Sequence, residues 1–291
     1  MLHVRLGSLI YTPDMIIRRN TGFPKGLRQI VINTSETGLI TGSKFRTYRF
    51  VKRYLDSMPQ YKDIFRMPLT HYAKRVRNIR TIAEDMLREG KKVVIKPPNK
   101  SGMRGLRIIT PNHTNNFFES KPMDIEITLE DLYSKLGERF SPLLVMDFLP
   151  GKEWSVDCFG YYQDEQYHCI VIPRTREEIR TGITFSGIVK YNEKIIEICK
   201  KIAQDLKIEY VFGFQFIERE DGVPIIIEAN PRIQGTMVMS TLAGANLIYL
   251  GVKYALSEKI PPVKIKWGTK FWRYWGGIGI TADGITNIGC F

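Results

Sequence analysis

One stretch constrains this chain more than any other: Ile225-Ile226-Ile227-Glu228-Ala229-Asn230-Pro231-Arg232, an apolar strand that runs directly into a carboxylate, an amide and a guanidinium at alternate positions. Successive side chains of a strand point to opposite faces, so Glu228, Asn230 and Arg232 share one face. Two hard oxygen donors beside a fixed positive fork suit a magnesium-bound polyphosphate: the oxygens hold the ion and the guanidinium meets charge on the transferring phosphoryl group. The plainer reading is a strand that ends in polar turn residues, and the rest of the chain decides between the two.

At 291 residues and 43% hydrophobic, the chain is long enough for one large or two modest domains, each with its own core. A soluble, cytoplasmic protein is expected. No run of 18 apolar residues is present. The first eleven residues carry His3 and Arg5 and no small-residue cleavage site, so neither a membrane span nor a signal peptide is expected. Cys158, Cys169, Cys199 and Cys290 are widely spaced without a Cys-x-x-Cys pair, which argues against a structural zinc site and for reduced thiols.

The formal charge of +13 sits in the first third, where residues 1–110 hold 23 Lys and Arg against 7 Asp and Glu. Such an asymmetry suits an anionic substrate, nucleic acid or a partner surface. The densest run, Lys74 to Arg80, lacks the interleaved aromatics of a single-strand stacking platform, so nucleic acid is disfavoured and a solvated face is favoured. A homo-oligomer or partner subunit engaged through this basic third is the remaining expectation.

The pattern along the chain is α+β. Short apolar runs at 1–42 read as a few strands. Helices are expected from Lys44 to Leu55, at 79–89, from Leu129 to Gly137, from Glu193 to Leu206 and from Thr241 to Ala255. Strands are expected at 92–96, 107–110 and 143–148, with antiparallel pairs 154–160/166–172 and 211–217/223–227.

Three further segments carry chemistry. Lys96 ends an apolar strand, and Lys100-Ser101-Gly102-Met103-Arg104-Gly105 follows as a loop whose glycines let backbone amides approach anionic oxygens. It is neither a P-loop nor a Rossmann fingerprint. Residues 144–153 offer an extended, apolar-lined backbone to a purine edge, with Glu153 placed to accept from ribose hydroxyls. Gln215 lies on the strand that should pair beside Glu228, and amide and carboxylate oxygens fit a magnesium that keeps several waters. Arg174, Arg176 and Arg180 form a basic segment, read equally as a binder of a carboxylate or acyl phosphate and as a solvated loop.

In this order the segments resemble the ATP-grasp superfamily, in the branch similar to the ATP-binding half of carbamoyl phosphate synthetase large chains and related carboxylate–amine ligases. The likeness covers residues 41–256. Its carriers are Val-Ile-Lys-Pro-Pro-Asn-Lys-Ser-Gly-Met-Arg-Gly at 94–105, Met-Asp-Phe-Leu-Pro-Gly-Lys-Glu at 146–153, Val-Asp at 156–157 and Ile-Arg-Thr-Gly at 179–182. They continue with Phe-Gly-Phe-Gln at 212–215, Ile-Glu-Ala-Asn-Pro-Arg-Ile at 227–233 and Ala-Gly-Ala-Asn at 243–246.

The resemblance implies two α+β subdomains clasping ATP: a shortened lead-in at 1–42, an N-terminal lobe at 43–145 and a C-terminal lobe at 146–291. It implies Lys44, Lys96, Lys100, Ser101, Gly102, Arg104 and Gly105 around the phosphates, and adenine along Met146, Asp147, Phe148 and Leu149, with ribose on Glu153. Magnesium, or manganese in its place, falls on Gln215, Glu228 and Asn230, and Arg232, Arg180 and Lys96 act in the chemistry. The implied activity is ATP-dependent ligation, in which a carboxylate becomes an acyl phosphate that an amine or other nucleophile attacks. The alternative is a nucleotide-binding partner protein without turnover. Two departures bear on this. Gly213 stands where such ligases often have an asparagine. Residues 1–42 are short for the lead-in domain that helps bind the acceptor, so that pocket is expected to be open, shared with another subunit or missing.

Overall fold

The computed structural model describes residues 43–100, 103–110, 125–137, 140–180 and 182–274, and six further strands by their backbone alone. Four of those strands open the chain. Val4–Leu6 (β1) pairs antiparallel with Leu9–Tyr11 (β2), and Met15–Ile17 (β3) lies parallel to Ile30–Ile32 (β4).

Lys44–Ser57 forms helix α1, with Tyr48, Val51, Tyr54 and Leu55 buried along one stripe at helical spacing. Thr70–Ala73 (β5), Val76–Arg88 (α2), Val93–Lys96 (β6), Arg107–Ile109 (β7), Glu126–Ile127 (β8), Leu129–Lys135 (α3) and Leu143–Asp147 (β9) follow. They build a five-stranded sheet in the order β5-β9-β6-β7-β8. Ile79, Ala83 and Met86 of α2 pack on Val93, Ile95 and Val145 of that sheet. Helix α3 starts at a capping box, where the Thr128 hydroxyl accepts from the Asp131 amide at 3.2 Å and the Asp131 carboxylate accepts from the Thr128 amide at 3.1 Å. The basic run at 74–80 lies at the start of α2, where Arg80 is exposed, faces Glu84 and covers the Tyr133 ring.

A second sheet, ordered β11-β10-β14-β15, comprises Lys152–Gln163 (β10), Gln166–Thr175 (β11), Tyr210–Glu218 (β14) and Pro224–Asn230 (β15). Asp164 and Glu165 close the β10–β11 hairpin with φ of 51° and 62°, the left-handed pair that suits the twist of a two-residue turn. Alternation divides this sheet's residues between two cores. Val156, Cys158 and Phe212 face α1 and helix α4 (Glu193–Asp205), whereas Phe159, Ile172 and Val211 face two shorter helices, Val238–Leu242 (α5) and Leu247–Ala255 (α6). Each fully buried side chain of this kind contributes about 1.5–3 kcal/mol. The single helix expected from Thr241 to Ala255 is therefore two, because the chain turns at Ala243–Ala245 and restarts where the Asn246 side chain caps the Tyr249 amide at 3.1 Å.

Helix α1 belongs to both cores of the cleft. Val51, Tyr54 and Leu55 pack with the second sheet, while Tyr48 packs with Leu144 and Met146 of the first. The segment after α1 continues this bridge, since Arg66 exchanges backbone hydrogen bonds with Pro224 and Ile226 and so covers the outer edge of β15.

A third sheet, ordered β12-β13-β16, is formed by Glu178–Arg180 (β12), Ile183–Ile188 (β13) and Lys270–Trp272 (β16). Its last strand lies in the tail that the sequence marks only by its tryptophans and glycines. Gly277–Thr281 (β17) and Gly284–Ile288 (β18) form a terminal antiparallel pair.

Candidate functional site

The first and second sheets face each other across a cavity of about 600 Å³. On the wall formed by β14 and β15, Gln215 pairs with Glu228 and Gly213 with Asn230. The register shifts between Gln215 and Phe216, which leaves Ile227 as an extra residue. That bulge turns Ile227 toward the cavity along with Glu228, Asn230 and Arg232. Lys44 at the start of α1, Lys96 at the end of β6, and Lys100 and Arg104 from the following loop also line the cavity. With Arg176, Arg232 and Arg273 the lining holds seven cationic side chains against two carboxylates, Glu153 and Glu228. An excess of five positive charges in a cleft concentrates polyanions.

The lysines are held closely. Lys44 Nζ lies 3.3 Å from Glu228 Oε1 and donates to the Lys100 carbonyl at 2.8 Å. Lys96 Nζ donates to the Tyr48 hydroxyl at 3.4 Å, and that hydroxyl donates to the Ile227 carbonyl at 2.5 Å. Burial, reinforced by the charge of Lys44, pushes the Lys96 ammonium down to about 8, with Glu228 opposing. Burial raises the Tyr48 phenol, so it stays a neutral donor.

Gln215, Glu228 and Asn230 supply one carboxylate and two amide oxygens to the same wall. Among the described residues no group of three or more His, Cys, Asp or Glu forms a metal cage. The set instead fits magnesium, which takes one or two carboxylates from the protein and completes its octahedron with water and phosphate oxygens. The Lys44 ammonium on Glu228 already marks that carboxylate as a seat for positive charge.

The three arginines of the basic segment are each paired, in different ways. Arg174 is fully buried: its Nε donates to Asp157 Oδ2 at 2.9 Å and another nitrogen donates to Thr236 at 2.6 Å. Asp157 also accepts from Gln234 at 3.1 Å and from Ser240 at 2.7 Å, so β10, β11 and the segment after β15 are joined through one buried charge pair. Arg176 donates to Glu153 at 2.7 Å, Thr184 at 2.9 Å and the Gly182 carbonyl at 2.8 Å, tying the β12–β13 hairpin to β10. Arg180 pairs with Glu178, lies over the Phe185 ring and does not line the cavity. The solvated-loop reading fails for Arg174, which is wholly enclosed.

Gly213 has a structural reason. A Cβ there would stand 1.9 Å from Gln234 Nε2 and 2.5 Å from the Val156 carbonyl. Gln234 thus fills the space of a larger side chain at position 213 and brings its own amide to the cavity wall.

Of the residues expected around a nucleotide, Lys44, Lys96, Lys100, Arg104, Glu153, Gln215, Glu228, Asn230 and Arg232 all line the cavity. Ser101 and Gly102 lie outside the described residues. Gly105 does not line the cavity, but its φ of 74° lets the loop fold back over Pro97, whose ring carbon lies 2.9 Å from where a Cβ would be. Met146, Asp147, Phe148 and Leu149 do not line it either. Met146 packs with Tyr48, Phe148 is exposed under Lys92, and Leu149 is buried. Asp147 has one buried oxygen without a partner among the described residues, and burial pushes its carboxyl up. Thr184, Gln234, Thr236 and Arg273 also line the cavity and have no motif of their own in the sequence. Proximity to the Asn-Pro-Arg stretch would have flagged Gln234 and Thr236, but nothing local flags Arg273.

Comparison with known proteins agrees with this geometry. A family model described as ATP-grasp in the biosynthetic pathway with Ter operon matches residues 139–271. The carbamoyl phosphate synthase large chain of Caldanaerobacter subterraneus is 30% identical over 158 residues, which is 48% of this chain and 14% of that one. Among solved structures, an ADP complex of N5-carboxyaminoimidazole ribonucleotide synthetase superposes with a TM-score of 0.60 at 13% identity, covering 83% of this chain and 58% of the other. The biotin carboxylase domain of Hydrogenobacter thermophilus 2-oxoglutarate carboxylase, solved with MgADP and bicarbonate, gives 0.56 at 16% identity over 81% of this chain and 50% of that one. The chain therefore spans about one seventh of the matched large chain, 58% of the solved synthetase and 50% of the solved biotin carboxylase domain. It has the ATP-grasp fold, and its residues 139–271 match an ATP-grasp family model. That fold is related to those of carboxylate–amine ligases.

Proposed function

We propose that the protein is a magnesium-requiring, ATP-dependent ligase that activates a carboxylate as an acyl phosphate for attack by an amine. The observation that carries this reading is the opposition of two walls: Gln215, Glu228, Asn230 and Arg232 on one, Lys44, Lys96 and Lys100 on the other. Two anionic reactants meet only where cations offset their repulsion, and a dry cleft strengthens that effect. Lys44, Lys96 and Lys100 bind the polyphosphate, with Arg104 beside them in the cavity lining. Glu153, held in orientation by Arg176, accepts from the ribose, and Arg232 neutralises charge on the transferring phosphoryl group. Gln215, Glu228 and Asn230 would hold magnesium, which would supply positive charge against the phosphates.

The lobes at 43–145 and 146–291 provide the two jaws, with the base directed to the backbone of 146–149. Free Cys158, Cys169 and Cys199 suit a reducing, cytoplasmic setting, and no helix among the described residues is long and apolar enough to cross a membrane. Gly213 gives no support to a site that has lost its chemistry, because Gln234 occupies its space.

The test is the thermal midpoint with ATP and magnesium together, with each alone, and with Glu228→Ala. A ligand that binds only the folded state raises the midpoint. A rise specific to ATP plus magnesium and absent in Glu228→Ala is expected. An equal rise in the variant would place the metal elsewhere, and no rise in the wild type would remove the nucleotide site.

A further inference from the structure

The third sheet supplies a separate wall of the cavity. Ile179 of β12, Ile183 of β13 and Arg273, the residue after β16, all line it. None is needed to hold the nucleotide or the metal in the arrangement above. Ile183 is 48% exposed and Met103, which faces the cavity from the loop after β6, is 37% exposed. Apolar side chains left wet inside a polar cleft gain free energy when a ligand with apolar surface covers them. Arg273 is placed by its backbone amide, which donates to the Phe185 carbonyl at 2.7 Å and extends the β13–β16 pairing. Its guanidinium lies over the Phe271 ring and has no ion-pair partner among the described residues, unlike Arg174, Arg176 and Arg180. A guanidinium fork of this kind matches a carboxylate.

We infer that this wall is the acceptor subsite and that the acceptor is an organic carboxylate with an apolar body, an inference that rests on the ligase reading. Arg273 holds the carboxylate, and Ile179, Ile183 and Met103 cover the body. Bicarbonate, the anion present with the Hydrogenobacter domain, has no apolar surface to place there. A carboxylate oxygen forms a bond to the γ-phosphorus of ATP while the bond from that phosphorus to the β,γ-bridging oxygen breaks, its electron pair leaving with ADP. An amine nitrogen then bonds to the acyl carbon, the carbon–oxygen pair leaves with inorganic phosphate, and the nitrogen loses a proton.

The experiment measures ADP release and ATP-dependent hydroxamate formation with hydroxylamine for hexanoate, 3-phenylpropionate, acetate and bicarbonate, beside the Kd for MgATP. ADP release with the two apolar acids should exceed that with acetate by about tenfold or more, the discrimination an apolar pocket supplies, with no stimulation by bicarbonate. Ile183→Asp and Arg273→Gln should each raise the KM for the apolar acid by about tenfold while the Kd for MgATP moves less than twofold. Stimulation by bicarbonate or acetate equal to that by the apolar acids overturns the inference. So does stimulation by none of the four while MgATP binds, or an unchanged KM in Ile183→Asp. Failure of the wild type to bind MgATP at all overturns the ligase reading instead.

Discussion

At the end of the cleft proposed to hold the metal, the metal end, Asp157, Arg174, Gln234, Thr236 and Ser240 satisfy one another inside the protein, and three of the five are 0% exposed. At the end expected to hold the base, Tyr48 lies between Met146 and the Ile227 carbonyl in a small apolar cluster with one strong hydrogen bond. The first region can change only by breaking a buried ion pair; the second changes when one ring moves. A site that must place a metal and a phosphoryl group accurately benefits from the first construction, and a site that must admit and release a planar base benefits from the second.

The largest effect expected follows from the metal end. Arg174→Ala leaves Asp157 as a buried carboxylate with hydroxyl and amide partners only, and breaking such a pair costs about 3–5 kcal/mol. Urea unfolding should report that loss as a lower midpoint with an unchanged slope. A cost below about 1 kcal/mol would mean that the wall stands without its charge pair and would erase the contrast between the two ends.

Lys96 lies where the two ends meet, and its titration gives the next prediction. Its ammonium titrates near 8 in the folded protein against 10.5 for the free side chain. Between those values the unfolded chain binds more protons, so this group's contribution to stability rises with pH across that window. Nucleotide affinity should move the other way, because polyphosphate binds the charged form. The Kd for MgATP should rise above pH 8 by up to about tenfold per pH unit, with proton uptake on binding measurable by calorimetry in buffers of different ionisation enthalpy. Lys96→Arg, which keeps its charge throughout, should flatten the profile. A flat wild-type profile would show that Lys96 does not face the phosphates.

The parts of the site that were legible in the sequence are those set by strand parity. Glu228, Asn230 and Arg232 had to share a face, and Gln215 had to pair beside them once the 221–222 turn was recognised. Parity could not show the bulge that adds Ile227, because a register shift depends on how β14 and β15 pack rather than on alternation. Nor could it separate the arginines. Arg174, Arg176 and Arg180 occur at even spacing, yet the chain leaves β11 before Arg176, so one is sealed in the core, one braces a hairpin and one lies outside the cavity. Arg273 was hidden for another reason: the strand that delivers it has three residues and no alternation of its own, and exists because it pairs with β13. The break between α5 and α6 was masked because each helix is short and both feed one apolar core.

The smallest effect expected tests the base end. If the base reaches the backbone of 146–149, the Tyr48 ring must first leave the cluster it shares with Leu144 and Met146, giving up its bond to the Ile227 carbonyl. Tyr48→Phe keeps the ring and removes that bond, which is worth about 1 kcal/mol, along with the longer one from Lys96 at 3.4 Å. The closed arrangement loses that much stability, and the binding-competent one becomes correspondingly more populated, so MgATP should bind about fivefold more tightly while urea stability falls slightly. The gain in affinity should be absent for inorganic pyrophosphate, whose binding needs no room for a base. Reduced stability with unchanged MgATP affinity would show that the base enters without displacing Tyr48, and the base end would then be as fixed as the metal end.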